Sequence, residues 1–216
     1  MAAINNFKLT IDRAKKLVDL HKELCPIGKP KTEYSDILRA AVVVSVSAID
    51  GYFHEKIPEN IPRLVRARKG RNLPGKLIDV IKAGASHEKL IGIMFEEHRL
   101  SHIVSIVRNS MKDRTYQDGG KIEDAIKLLG IDDLWYNLGQ KMKLSKEKAK
   151  THVQDYVERR HQIVHRGDYG QTKKAKNTLK RISRSYAERC AGEVSRFVEA
   201  IEAVVESTIS TMEKKK

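Results

Sequence analysis

Apolar residues recur every three or four positions along most of the chain, the spacing that places them on one side of an α-helix. In residues 4–24, for example, Phe7, Ile11 and Val18 share one side, and Cys25-Pro26 follows directly. Proline at that point does not continue a regular helix. The pattern therefore predicts an amphipathic first helix over residues 4–24.

A second helix is predicted from about Ser35 to Lys56. Between Ala40 and Ile49 it is apolar nearly all round, which is typical of a central helix covered on several sides. Small alanine and serine side chains in this run would let a neighbouring helix or a second subunit approach closely. Prolines at positions 58 and 62 predict its end.

The remaining segments also favour helices. Ser145 is a typical cap for a helix that continues to Gly167, and an apolar stripe from Ile182 to Ile209 predicts a final long helix. Shorter helices are predicted over residues 77–83, 121–129 and 131–138, with another from Ser86 to about Val107. No strand pattern is long enough to support a dinucleotide-binding fold. We therefore predict an all-α fold, with one helical domain over residues 1–213, an insertion over about 58–144 and a basic tail over 214–216.

The charge of the chain points to an anionic partner. The 216 residues include 42 lysines and arginines against 28 acids, a formal net charge of +14. Such a field attracts polyanions and speeds their association. Cys25 and Cys190 are too few for a disulfide framework, and the apolar run at 40–49 is about half of a membrane span. With no signal peptide at the start, we expect a cytoplasmic protein without a membrane partner.

Candidate chemistry is concentrated in residues 158–168, which carry three arginines and two histidines. His161 and His165 are four apart and so point about 40° from each other on a helix. Arg160 shares the inward apolar side, where a charge needs a partner or a wet cleft. Arg160 and His165 are five apart, or about 140°. They converge only if the last turn loosens or if another chain completes the site.

The run Arg160-His161-Gln162-Ile163-Val164-His165 resembles the arginine–polar–x3–histidine motif of the HEPN superfamily. Residues 34–54 are similar to the second helix of the bacterial RiboL-PSP type of HEPN domain. The resemblance covers roughly residues 5–56 and 145–210. It implies a HEPN-like helical bundle with long up-and-down helices, which dimerises and brings two copies of the motif to one cleft.

The resemblance also implies an activity. Many HEPN proteins are endoribonucleases that need no metal or cofactor, and they leave 2′,3′-cyclic phosphate and 5′-hydroxyl ends. Bacterial relatives often act in antiviral defence or as growth-arresting toxins, while some members only bind. One toxin subgroup carries a tyrosine two positions after the histidine, which its antitoxin modifies. Gly167 stands there in this chain, with Tyr169 the nearest tyrosine, so a regulatory or antitoxin partner of that kind is in question.

Residue roles follow from this reading. His165 is expected to transfer protons because a histidine pKa lies near neutrality, and Arg160 to stabilise the phosphate through its planar, permanently charged fork. His161 would orient the substrate or share the acid role. Arg159, Arg166 and Asp50 are expected to support the site. Asp50 is either a surface carboxylate or an acid that orients or neutralises Arg160 or a histidine.

Two basic segments are candidates for RNA binding, although a charge run is also an ordinary solvated surface. Their predicted contact residues are Arg63, Arg66, Arg68, Lys69, Arg71, Lys173, Lys174 and Lys176.

Two alternative functions stay open. The chain could be a noncatalytic module that binds RNA, a nucleotide or an acidic protein. It could also be a structural helical subunit of a larger assembly, with His98 and His102 as a metal-binding variant of that reading.

Overall fold

The computed structural model describes residues 2–26, 32–170 and 178–214, and the prediction of an all-α bundle is confirmed. Among these residues there is no strand, and Tyr169 and Leu179 form an isolated antiparallel bridge. The helices are α1 (Ala2–Leu24), α2 (Ser35–Ala67), α3 (Gly75–Gly84), α4 (His87–Met94), α5 (Arg99–Met111), α6 (Gly119–Lys127), α7 (Leu134–Met142), α8 (Lys146–Thr151), α9 (Gln154–Arg166) and α10 (Arg184–Lys214).

Helix α2 lies at the centre and packs against α1, α9 and α10. Its side chains Val42, Ile49 and Phe53 are completely buried, as expected for a helix that is apolar nearly all round. Phe7 and Ile11 on α1 are also buried, so the predicted inner side of the first helix is confirmed.

Helix α2 does not end at about Lys56 as predicted, because it runs through Pro58 and Pro62 to Ala67. A proline inside a helix removes one backbone hydrogen bond and costs about 3 kcal/mol. Here that cost is offset by burial, since Ile57, Ile61 and Leu64 are all 0% exposed. Residues 58–67 therefore belong to the central helix and not to the inserted segment.

Ion pairs fasten this half of α2 to α10. The Lys56 side chain is 1% exposed, and its Nζ donates hydrogen bonds to Glu202 (2.9 Å) and Glu206 (2.5 Å). Arg63 donates to Glu206 and to Glu213 (3.0 Å). Buried charges are tolerated when they are paired in this way. The network explains how a helix end with so many cations stays in the core.

By length and composition α2 could cross a membrane, and no other described helix passes that test. However, 56% of its most apolar window is buried inside the bundle. The central helix of a soluble protein has the same properties, so this feature is weak support for a membrane span.

Two predicted helices are each divided in the structure. The helix predicted from Ser86 breaks between Met94 and Arg99. Ile93 and Ile106 are both buried, but on an unbroken helix they would lie about 140° apart. Ser145 does cap a helix, since its Oγ accepts a hydrogen bond from the Lys148 backbone amide, but this helix is the short α8.

Candidate functional site

Helix α9 carries the predicted motif as one continuous α-helix from Gln154 to Arg166. Gly167 ends it in the left-handed conformation (φ 59°), which confirms the predicted stop. The Asp168 amide donates to the Gln162 carbonyl (3.1 Å) and closes the last turn. A Cβ at Gly167 would lie 3.1 Å from the Tyr169 ring, so both backbone and space favour glycine there.

His161 and His165 lie side by side on the solvent-facing surface of α9. Their ring centroids are 4.5 Å apart and both side chains are exposed. Arg166, one residue further on, is also exposed. The two imidazoles are therefore open to a ligand that approaches from outside the protomer.

Arg160 is on a different side of the same helix. It is half-buried, and its Nε is buried without a hydrogen-bond partner among the described residues. No carboxylate in the described part of the chain forms an ion pair with it. Because α9 stays regular through Arg166, Arg160 and His165 remain about 140° apart. The last turn does not loosen, so these two side chains do not converge within one protomer.

Arg39 and Asp168 form a buried ion pair beside the motif, which we call the clamp. This pair was not predicted from the sequence. Asp168 is 0% exposed, and its Oδ2 accepts hydrogen bonds from Arg39 Nε and Arg159 Nη2, both at 2.7 Å. Arg39 also donates to the Lys180 carbonyl (2.7 Å). The clamp therefore fixes the end of α9 against the start of α2 and against residues 178–183.

A comparison with known families identifies the family of the chain. The model of the family described as RiboL-PSP-HEPN matches residues 8–207. The chain belongs to the RiboL-PSP-HEPN family. No curated protein and no solved structure matches it. The family match also spans the middle of the chain, which the sequence resemblance did not cover.

Two of the predicted supporting residues have partners outside the motif histidines and Arg160. Arg159 is bound to Asp168 in the clamp, so it holds the end of α9 in place. Asp50 accepts a hydrogen bond from the Tyr116 amide (2.6 Å) and lies 3.9 Å from His54 Nε2. Asp50 therefore anchors the connection between α5 and α6, and within a protomer it neither orients nor neutralises Arg160 or the motif histidines.

The basic segment at the end of α2 and directly after it contains both paired and exposed cations. Arg63 forms ion pairs with Glu206 and Glu213, so its charge is already neutralised within the protomer. Arg68 is half-buried and donates to the Asn72 carbonyl (2.6 Å). The remaining members of the segment, Arg66, Lys69 and Arg71, are exposed. Lys173, Lys174 and Lys176 lie outside the described residues.

His98 and His102 do not converge with further ligands. His102 Nε2 contacts the Glu96 carboxylate, while His98 lines a cleft at the start of α5. The described residues contain no group of three or more histidine, cysteine or acidic side chains that could hold a metal.

Proposed function

We propose that this HEPN protein is a metal-independent endoribonuclease that acts as a homodimer. The observation that supports this best is the separation of Arg160 from the histidines on an unbroken helix. Each protomer presents half of the chemistry needed for RNA cleavage. A second protomer, related by two-fold symmetry, would supply the other half.

The surface between the two halves favours such a contact. Around α9, Val164 lies 40° from Arg160 and 100° from His165, and thus between them. Val164 is 46% exposed in the protomer. Burying an exposed valine against its own copy is favourable, and it would bring Arg160 of one protomer towards His165 of its partner.

The residue types match the reaction. In the proposed mechanism, the ribose 2′-oxygen attacks phosphorus while the bond from phosphorus to the 5′-oxygen breaks. His165 accepts the 2′-hydroxyl proton, and His161 or the partner's copy donates a proton to the leaving 5′-oxygen. Among the residues that the structure describes, no carboxylate pairs with Arg160, so its guanidinium is available for the charge of the phosphorane. The products are a 2′,3′-cyclic phosphate and a 5′-hydroxyl.

The test is incubation of total cellular RNA with wild-type protein or with the Arg160→Ala/His165→Ala variant in EDTA, followed by end-group analysis. A matched control is His87→Ala/Arg196→Ala, which removes an exposed histidine and an exposed arginine elsewhere. We expect cyclic phosphate ends with wild type and control only. Equal cleavage by the motif variant would refute the assignment. Absence of cleavage by wild type would favour a noncatalytic RNA-binding module.

We propose the biological setting from the resemblance of the chain to other HEPN proteins. We place the protein in the cytoplasm, in antiviral defence or as a growth-arresting toxin, where another protein would hold its activity in check. Tyr169 is 49% exposed two residues beyond Gly167, but it does not occupy the position of the modified tyrosine in the toxin subgroup.

A further inference from the structure

A wide cleft opens between α9, residues 178–183 and the start of α10. Its volume is about 1180 Å³, above the roughly 300–1,000 Å³ of pockets for small molecules. Two acids, Asp155 and Glu158, lie in the wall that α9 provides. The cationic side chains that line the cleft are Arg39, Arg159, Lys180, Arg181 and Arg189. Five cations against two acids make the lining strongly basic.

Two of these cations are free to bind a ligand. Arg39 and Arg159 share Asp168, and Lys180 Nζ donates to Gln162 Oε1 (2.5 Å). Arg181 and Arg189 are exposed and make no ion pair within the described ranges. With Asp168 and Asp36 counted, both of which pair with Arg39, the lining keeps a formal surplus of one positive charge. That surplus is what phosphate groups would neutralise.

Aromatic rings accompany the free arginines. Tyr186 is half-buried and packs on Tyr156, with ring centroids 5.4 Å apart, while Tyr169 is 49% exposed. Both Tyr186 and Tyr169 line the cleft. Cations that follow a backbone, together with rings on which bases stack, are the usual features of a single-strand binding surface.

The cleft adjoins the two histidines along α9. Glu158, His161, Gln162 and His165 follow the i, i+3, i+4, i+7 pattern of one helix surface. Glu158 and Gln162 line the cleft, and the histidines are exposed beside them. A strand lying in the cleft would therefore reach the histidine pair without crossing the helix.

We propose that this cleft binds the single-stranded RNA segment next to the phosphate that is cut. Arg181 and Arg189 bind its phosphates, and Tyr186 stacks on a base. The proposal deepens the endoribonuclease assignment and rests on it for the nature of the substrate. Its binding step, however, is measurable without any cleavage.

The experiment uses full-length His165→Ala protein, so that RNA stays intact, and follows a labelled single-stranded RNA of mixed sequence by fluorescence anisotropy over a range of salt concentrations. In this background Arg181→Ala/Arg189→Ala removes two phosphate contacts. The slope of log K against log salt should then become about 1.4 less steep, or 0.7 per contact. The control is Lys8→Ala/Lys16→Ala, which removes two exposed cations from α1 and should leave most of the slope. An equal change in both pairs would overturn the proposal.

Tyr186 gives a second readout that is independent of charge. Tyr186→Ala should weaken single-strand binding about tenfold, and Tyr186→Phe should restore it, because stacking needs only the ring. Loss in both variants would contradict the stacking role. A duplex of the same sequence should bind more weakly than the single strand, because its bases are already stacked, and tighter duplex binding would also overturn the proposal.

The two proposals fail in different ways. If wild-type protein cleaves no RNA but the arginine pair changes the salt slope as expected, the cleft stands and the endoribonuclease assignment falls. If wild-type protein cleaves RNA and the arginine pair leaves the slope unchanged, the cleft falls and the assignment stands.

Discussion

A mixed dimer would show whether Arg160 and His165 act across two protomers. On continuous α9, five residues separate them, a rotation of about 140° and a rise of about 7.5 Å. For a helix about 10 Å across, the two side chains leave its surface roughly 12 Å apart. On this unbroken helix, both groups can contact one phosphate only if another chain provides one of them or if α9 rearranges.

The perturbation is a heterodimer of one Arg160→Ala protomer and one His165→Ala protomer, purified through two different affinity tags. If the site is composite, one of its two sites lacks both groups, while the other combines the intact Arg160 and the intact His165. The heterodimer should cleave RNA at about half the wild-type rate per dimer. Each homodimer of a single variant should have lost that activity.

The matched control pairs Arg160→Ala with the Arg160→Ala/His165→Ala protomer, which gives a dimer without any intact composite site. The assay is the initial rate of cyclic phosphate formation in EDTA at fixed dimer concentration. A heterodimer no more active than this control, with active wild-type protein in parallel, would refute the two-protomer site. It would mean that Arg160 and His165 act in the same protomer after a rearrangement of α9.

Four further predictions concern stability and reactivity. Lys56→Ala leaves Glu202 and Glu206 without their buried cation. Asp168→Asn removes the buried anion that Arg39 and Arg159 share. Each change should lower the free energy of unfolding by about 3 kcal/mol in urea denaturation. His21 is 1% exposed, and burial lowers its pKa below 6.5. The unfolded chain then takes up the proton first, so stability falls as the pH drops below 6.5, and His21→Phe should show less of this loss between pH 7.5 and 5. Burial raises the pKa of Cys190 to about 12, so iodoacetamide at pH 8 should label Cys25 and reach Cys190 only after unfolding, as peptide mass spectrometry would show.

The helical spacing in the sequence was enough to predict the bundle and the ends of several helices. Phe7 and Ile11 on α1 and the stop at Gly167 were confirmed because such features depend on nearby residues. The prediction that the prolines at 58 and 62 end the helix was wrong. The rule that proline ends a helix considers only neighbouring residues, and it does not include the burial of Ile57 and Ile61 in the core.

The clamp was not predicted, because Asp168 and Arg39 are 129 positions apart in the chain. A signal was nevertheless present. Arg39 stands one residue before the apolar run of α2, next to Leu38, and a cation in that position needs a buried anion. The sequence therefore indicates that Arg39 needs an anionic partner, but only the folded chain shows which of the 28 acidic residues is that partner.

The adjacent residues Arg159 and Arg160 show why folding decides what a charge can do. They point about 100° apart on α9. Arg159 faces Asp168, whose carboxylate neutralises the guanidinium charge. This ion pair holds the end of α9 in place. Arg160 faces away from that acid and keeps its full charge within the protomer. A nearby carboxylate that neutralises a cation reduces the charge that this cation offers to a developing phosphorane. In the proposed reaction, Arg160 is therefore the arginine of this pair that would act on the phosphate, while Arg159 fixes the end of the helix that carries it.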